Sequence, residues 1–238
     1  MSVFPQMARL SGITLGFLFP KSCLGCGREG DFLCPKCRNS LTRIGSLICP
    51  KCGRPQMSGV VCPSCVAWDS AIDGIRSPFR FEGVMRQAVH QLKYRNLRAL
   101  GTPLAGLMWD YLSANPVLGD VLVPVPLHPK RLRERGYNQS YLLAAELSKL
   151  SGLPVVDEAV VRQRYTPPQA RTTSVEERRA NIVGAFACRE AASSRLKDRH
   201  VILVDDVATS AATLDACAAA VKEAGAAEVW GLVLAREI

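Results

Sequence analysis

The chain's richest chemistry is packed into Val201 to Leu214, VILVDDVATSAATL. Two adjacent carboxylates, Asp205 and Asp206, lead into the small and hydroxylated residues Ala208, Thr209, Ser210, Ala211, Ala212 and Thr213. Small side chains let an anion reach the backbone, and the amides of a loop that opens a helix point positive charge outward. The hydroxyls of Thr209, Ser210 and Thr213 can add hydrogen bonds to phosphate oxygens. The two aspartates would repel a phosphate, so they call for another partner. Acceptor-only carboxylates suit the vicinal hydroxyls of a ribose, directly or through Mg²⁺. The stretch as a whole fits a ribose 5-phosphate. The competing reading is an ordinary strand–turn–helix with Asp206 or Thr209 as N-cap.

A second chemistry lies at the other end. Of 10 cysteines, eight form four Cys-x-x-Cys pairs: Cys23/Cys26, Cys34/Cys37, Cys49/Cys52 and Cys62/Cys65. Each pair makes a knuckle that turns two sulfurs toward one ion, and two knuckles complete a tetrahedral Cys₄ zinc site. The sequential assignment gives one zinc to Cys23, Cys26, Cys34 and Cys37, and another to Cys49, Cys52, Cys62 and Cys65. Spacing leaves a crossed arrangement open, and disulfides or an iron–sulfur cluster are the competing chemistries. Units this small lack a core, so the metal supplies their folding energy. Cys188 and Cys217 have no such neighbour and read as ordinary thiols.

These groups need a scaffold. Val201 to Val204 is a short apolar run suited to a strand buried on both faces of a parallel sheet. Leu214 to Ala224 reads as a helix ending at Gly225. Asp120 to Pro126 is a second buried strand, and Val229 to Ala235 a last one. Phe79-Arg80-Phe81 starts a strand, and Val155 to Val161 restarts one. Helical spacing marks Val84 to Tyr94, Leu100 to Leu112 and Tyr141 to Leu150. Trp68 to Ser77 reads as a linker. Arg162 to Asn181 is long, charged and weakly periodic, which suits a mobile lid. The basic stretch Lys130, Arg131, Arg133 and Arg135 follows directly on a strand's carboxyl end, where open α/β sheets bind ligands and arginine can grip phosphate. His90 reads as a surface or packing histidine.

The 238 residues allow one or two domains, and the net charge of +9 suits anionic partners, nucleic acid or phosphorylated metabolites. Leu10 to Phe19 is apolar but has neither a basic n-region nor a cleavage site, and is too short to span a bilayer. A cytoplasmic, thiol-preserving location with no membrane span is the expectation.

LVDDVATSAAT resembles the phosphoribosyl-pyrophosphate (PRPP) motif of type I phosphoribosyltransferases. Those motifs usually carry Thr-Thr-Gly where this chain has Thr209-Ser210-Ala211, and glycine there permits a positive φ. PVPLHPKRLRERGYNQ, RQRYTPPQARTTSVEERRANIVGAF and LVDDVATSAAT, behind paired-cysteine zinc motifs, together resemble the ComF family of competence-associated phosphoribosyltransferase homologues. The resemblance implies an α/β fold: a type I phosphoribosyltransferase-like parallel sheet flanked by helices over 68–238, a Cys-rich double zinc-ribbon module over 21–67 and a docking helix over 1–20. It places ribose binding at Asp205 and Asp206, the 5-phosphate at Ala208 through Thr213, and the pyrophosphate loop at Val125, Pro126 and Leu127. The recurring arginine and Asn-Gln positions fall on Arg131, Arg135, Asn138 and Gln139. Catalytic roles would fall to Asp205, Asp206, Arg131 and Arg135. Zinc in two Cys₄ sites, Mg²⁺ with PRPP, and single-stranded DNA with DNA-uptake proteins in natural transformation are the implied cofactors and partners. The alternative function is a non-catalytic scaffold that binds DNA or a protein partner.

Overall fold

The computed structural model describes residues 21–164 and 181–238, which divide after Leu41 into two compact units. The docking helix expected over 1–20 lies outside the described residues, as does most of the lid expected over 162–181.

The smaller unit is a zinc-ribbon half. A turn after Cys23 is closed by Gly27 N–H donating to the Cys23 carbonyl at 2.8 Å. Cys34 then caps the short helix α1 (Pro35–Asn39), whose first residue is a proline, the position where a missing N–H costs nothing.

The larger unit opens with the same device. Gly53 N–H donates to the Cys49 carbonyl at 2.9 Å, and Cys62 precedes the proline-led α2 (Pro63–Val66). The α/β body follows: β1 (Gly74–Arg76), β2 (Phe79–Arg80), α3 (Gly83–Tyr94), α4 (Gly101–Ala114), β3 (Val121–Pro124), α5 (Pro129–Arg135) and α6 (Gln139–Ser151). Then come β4 (Val160–Arg162), β5 (Phe186–Cys188), α7 (Glu190–Leu196), β6 (His200–Ala208), α8 (Ala212–Glu223) and β7 (Glu228–Arg236). The five-stranded sheet runs β1-β7-β6-β3, with β2 also beside β7, and every pairing in it is parallel.

Alternation along the strands explains the layers. Val121, Val123, Val201, Leu203, Val229 and Val233 share one core cluster with Leu214, Cys217, Ala218 and Val221 of α8. Leu122, Ile202, Val204, Leu232 and Leu234 are equally buried, and α4 and α6 lie against the same strands. Both faces of the sheet are therefore covered, which is why its strands read as continuous apolar runs.

Three expectations change. The segment read as a linker contains β1 and the buried Trp68. It was hidden because β1 is short and its partner, Gly74 opposite Trp230, is remote in sequence. The strand expected over Val155 to Val161 is only an isolated bridge from Val155 to Leu122; Asp157 and Glu158, the latter with φ of 54°, break it before β4 pairs antiparallel with β5. Finally, β6 runs on through both aspartates to Ala208, because Val207 and Ala208 still pair with Ala235 and Arg236, and α8 starts at Ala212 instead of Leu214.

Candidate functional site

The carboxyl end of β6 and the amino end of α8 enclose a small cradle of about 30 Å³, lined by Asp205 and by Val207 to Leu214. Its bend is made by Ala211, which adopts φ of 65° and ψ of 0° and stands as the N-cap of α8. Ala211 thus takes the left-handed backbone that glycine would adopt freely, at a steric cost of about 1–2 kcal/mol. Ser210 is buried, and its Oγ accepts from Ala212 N–H at 3.5 Å, while Thr209 is exposed. Ala211→Gly should relieve the strain and raise the melting temperature of the zinc-loaded protein by about 2–4 °C. A lowered melting temperature in a calorimetric scan would mean that the alanine conformation is not strained.

The two aspartates occupy different surroundings. Asp205 Oδ1 accepts from Ser140 Oγ–H at 2.7 Å and from the Asp206 N–H at 2.9 Å. Burial, and then the neighbouring Asp206 charge, push its carboxyl up to about 7. Asp206 is only 2% exposed, and Oδ1 meets the Lys93 ammonium at 2.7 Å. Its Oδ2 is buried and has no hydrogen-bond partner among the described residues. A buried acceptor left open in this way suits a donor brought by a ligand. A hydrogen-bonded file continues outward: Arg135 donates to Gln139 Oε1, Gln139 Nε2 to Ser140 Oγ at 3.5 Å, and Ser140 to Asp205.

The other expected residues fall close by. Val125 follows β3, and its N–H donates to the Val204 carbonyl at 3.0 Å, which ties Val125 to Pro126 and Leu127 beside β6. Asn138 braces that loop: Nδ2 donates to the Val125 carbonyl, and Oδ1 accepts from Ser140 N–H, both at 3.0 Å. Gln139 is buried with both ends of its amide engaged by protein. Arg131 is half-buried on α5, and Arg135 ends that helix with its guanidinium 5.6 Å from the Tyr94 ring centre. Pro126 and Leu127 also border a cleft of about 300 Å³ with Tyr141, Val161 and Arg162.

Sequence reasoning missed Lys93 and Ser140. A signal for Lys93 existed: Met85, Val89 and Lys93 are spaced by four on α3, so the lysine continues a buried stripe. Nothing local marks Ser140, because its partner is at the end of a remote strand.

The cysteines sort as two sequential clusters, with the sulfurs of each set all within 4.8 Å of one another. Cys26–Cys34 and Cys52–Cys62 both show S···S of 3.7 Å. Four sulfurs at about 2.3 Å from a central zinc sit about 3.8 Å apart, so the spacing fits zinc tetrahedra. These are two zinc-ribbon sites, Cys23/Cys26/Cys34/Cys37 and Cys49/Cys52/Cys62/Cys65. In the second, burial pushes the Cys49 thiol up, but the backbone N–H groups of Cys52, Cys62 and Lys51 bring it down to about 7. Cys65, by contrast, is raised by burial and by the sulfurs around it. Four anions cannot coexist there without a cation.

The second cluster is built into the α/β core. Its sulfurs join the apolar cluster that contains Trp68, Ile72 and Ile75. Ile75 N–H donates to the Lys51 carbonyl at 2.8 Å, and Arg76 Nη1 to the Pro50 carbonyl at 3.0 Å. A Cβ on Gly53, whose φ is 69°, would lie 2.5 Å from the Ile75 carbonyl oxygen, so only glycine permits this contact. Arg236 of β7 is 1% exposed; burial lowers its pKa, and the charge of the Cys52, Cys65 and Cys62 sulfurs opposes that. It is a buried counter-charge for a zinc site that carries net negative charge.

Comparison with known proteins matches both regions. A family profile described as "Double zinc ribbon domain" matches residues 14–66, and "Phosphoribosyl transferase domain" matches 135–237. The chain is 30% identical to competence protein F of Haemophilus influenzae over 183 residues, covering 73% of this chain and 78% of that protein. It is 29% identical to competence protein ComFC of Bacillus subtilis over 192 residues, 77% of this chain and 75% of that one. DNA utilization protein YhgH of Escherichia coli K12 is 34% identical over 151 residues, 60% of this chain and 64% of its own. With the likeness to competence protein F spread over most of both proteins, and the two profiles falling on the ribbons and on the cradle-bearing sheet, the chain belongs to the ComF family.

Proposed function

We propose that the carboxyl edge of the sheet binds PRPP with Mg²⁺ and transfers phosphoribose to a nitrogen acceptor. The observation that carries this reading is the left-handed Ala211: the amide turn of a phosphate cradle is kept even where glycine is absent. The amides from Thr209 to Thr213 would hold the 5-phosphate, and Asp205 and Asp206 the ribose hydroxyls. Val125 to Leu127 would receive the pyrophosphate, with Arg131 and Arg135 nearby. In the reaction the acceptor nitrogen forms a bond to C1 of the ribose as the bond from C1 to the pyrophosphate oxygen breaks, and pyrophosphate departs with the electron pair. Positive charge grows on the ribose ring, so a fixed carboxylate close to it lowers the barrier. Mg²⁺, when bound, would offset charge on the pyrophosphate oxygens.

The names of the relatives support a role in competence or DNA utilization, and the net charge of +9 supports single-stranded DNA as a partner. Among the described residues no helix is long and apolar enough to cross a membrane.

The test is calorimetric titration of the zinc-loaded protein with PRPP, with and without Mg²⁺. Mg²⁺-dependent binding is expected, and it should strengthen as pH rises through about 7, where Asp205 loses its proton. The ligand-free fold has the opposite trend. A carboxyl raised above its unfolded value of about 3.9 contributes stability that is fully present below pH 4 and is lost as pH rises through 7. Heat-free titration of well-folded protein would overturn the PRPP reading.

A further inference from the structure

Lys93 stands on the last turn of α3; its side chain is 22% exposed and its ammonium lies 2.7 Å from Asp206 Oδ1. A carboxylate as buried as Asp206 is costly to leave without a cation beside it. Lys93 touches only one oxygen of the pair and leaves the other open. The bond therefore fixes the rotation of the carboxylate.

We propose that Lys93 is a positioning residue of the ribose site, holding the Asp206 carboxylate in place with Oδ2 presented to a ligand hydroxyl. The inference rests on the PRPP reading and extends it to a residue outside the sequence motifs. Every element around the pair contributes to the local charge. Asp205 and Asp206 come from β6, Lys93 from α3, Arg135 from α5, Tyr137 from the turn before α6, Ser140 from α6 and Cys217 from α8. Among these groups Lys93 is the one in direct contact with the Asp206 carboxylate. Arg135 is directed to Gln139, and the Tyr137 hydroxyl to the Leu92 carbonyl.

The experiment compares PRPP affinity for full-length, zinc-loaded wild type, Lys93→Met and Lys93→Arg. Lys93→Met should bind at least about tenfold more weakly, the scale of one hydrogen bond to a charged group, while Lys93→Arg retains most of the affinity. A purely structural role would give the same loss when residue 206 carries no charge. In an Asp206→Asn background, Lys93→Met should cause no further loss; this pair removes both charges and so remains foldable even if Lys93→Met alone does not. Equal affinity in folded Lys93→Met, or the same loss in the Asp206→Asn background, would overturn the proposal. If the wild type binds no PRPP, the PRPP reading fails by itself. Denaturant melts then decide for Lys93: its replacement by Met should cost less stability in the Asp206→Asn background than in wild type, and equal costs overturn the proposal.

Discussion

Replacing Cys52 and Cys65 with serine is expected to unfold the whole α/β unit, not merely to release a metal ion. All four sulfurs of the second cluster are buried in the same apolar cluster as Ile72, Ile75, Val201 and Leu203. Structural zinc contributes on the order of 10–16 kcal/mol, against a typical domain stability of about 5–15 kcal/mol. Loss of the metal would also strand the guanidinium of Arg236, whose Nε and Nη1 already have no hydrogen-bond partner among the described residues. The first cluster offers the control. Leu33 is the apolar neighbour packed against Cys23, Cys34 and Cys37, and the group belongs to the smaller unit. Cys26→Ser with Cys34→Ser should therefore release one zinc and leave the melting of residues 42–238 unchanged. Thermal unfolding followed by circular dichroism, with zinc content measured in parallel, separates the two cases. Equal melting curves for the two double variants would show that the second cluster is not part of the core.

Asp205→Asn with Asp206→Asn should weaken PRPP binding by at least about 100-fold, since two buried carboxylate contacts of roughly 1.5–3 kcal/mol each are lost. The two halves should differ in stability. Asp205 is already raised to about 7, so a neutral amide imitates the form it holds through much of the range below neutrality. Asp206→Asn leaves the Lys93 ammonium without its partner, and breaking a buried pair from one side costs about 3–5 kcal/mol. Denaturant melts should therefore show Asp206→Asn as the more destabilised of the two single variants, while calorimetry reads the binding loss of the double variant. Undiminished PRPP affinity in the double variant would remove the aspartates from the ligand site.

The cradle and the zinc knuckles were legible because their signals are local. Carboxylates, hydroxyls and small residues lie within one short stretch, Asp205 to Thr213, and each cysteine pair spans three peptide bonds. Ala211 shows how far that legibility goes. Its side chain departs from the expected glycine, yet its backbone takes the positive φ all the same, because strand and helix geometry on either side dictates the bend. Contacts between distant segments were not legible. Lys93 meets Asp206 only once α3 lies on the sheet, and Ser140 meets Asp205 only once α6 does. Trp68 and Gly74 read as linker because nothing near them in sequence reveals the sheet edge they join.

That edge sets the order in which the molecule can be made. During synthesis, the second zinc cluster and β1 leave the ribosome early, whereas the strand that pairs with β1 is the last in the unit. Metal can gather Cys49 to Cys65 at once, but Ile72 and Ile75 must wait with their apolar surfaces uncovered until β7 arrives. Parallel pairing between segments so far apart is slow to form. The interval before closure is when the nascent chain is most exposed to aggregation, and early metal capture limits how much of it stays loose in the meantime.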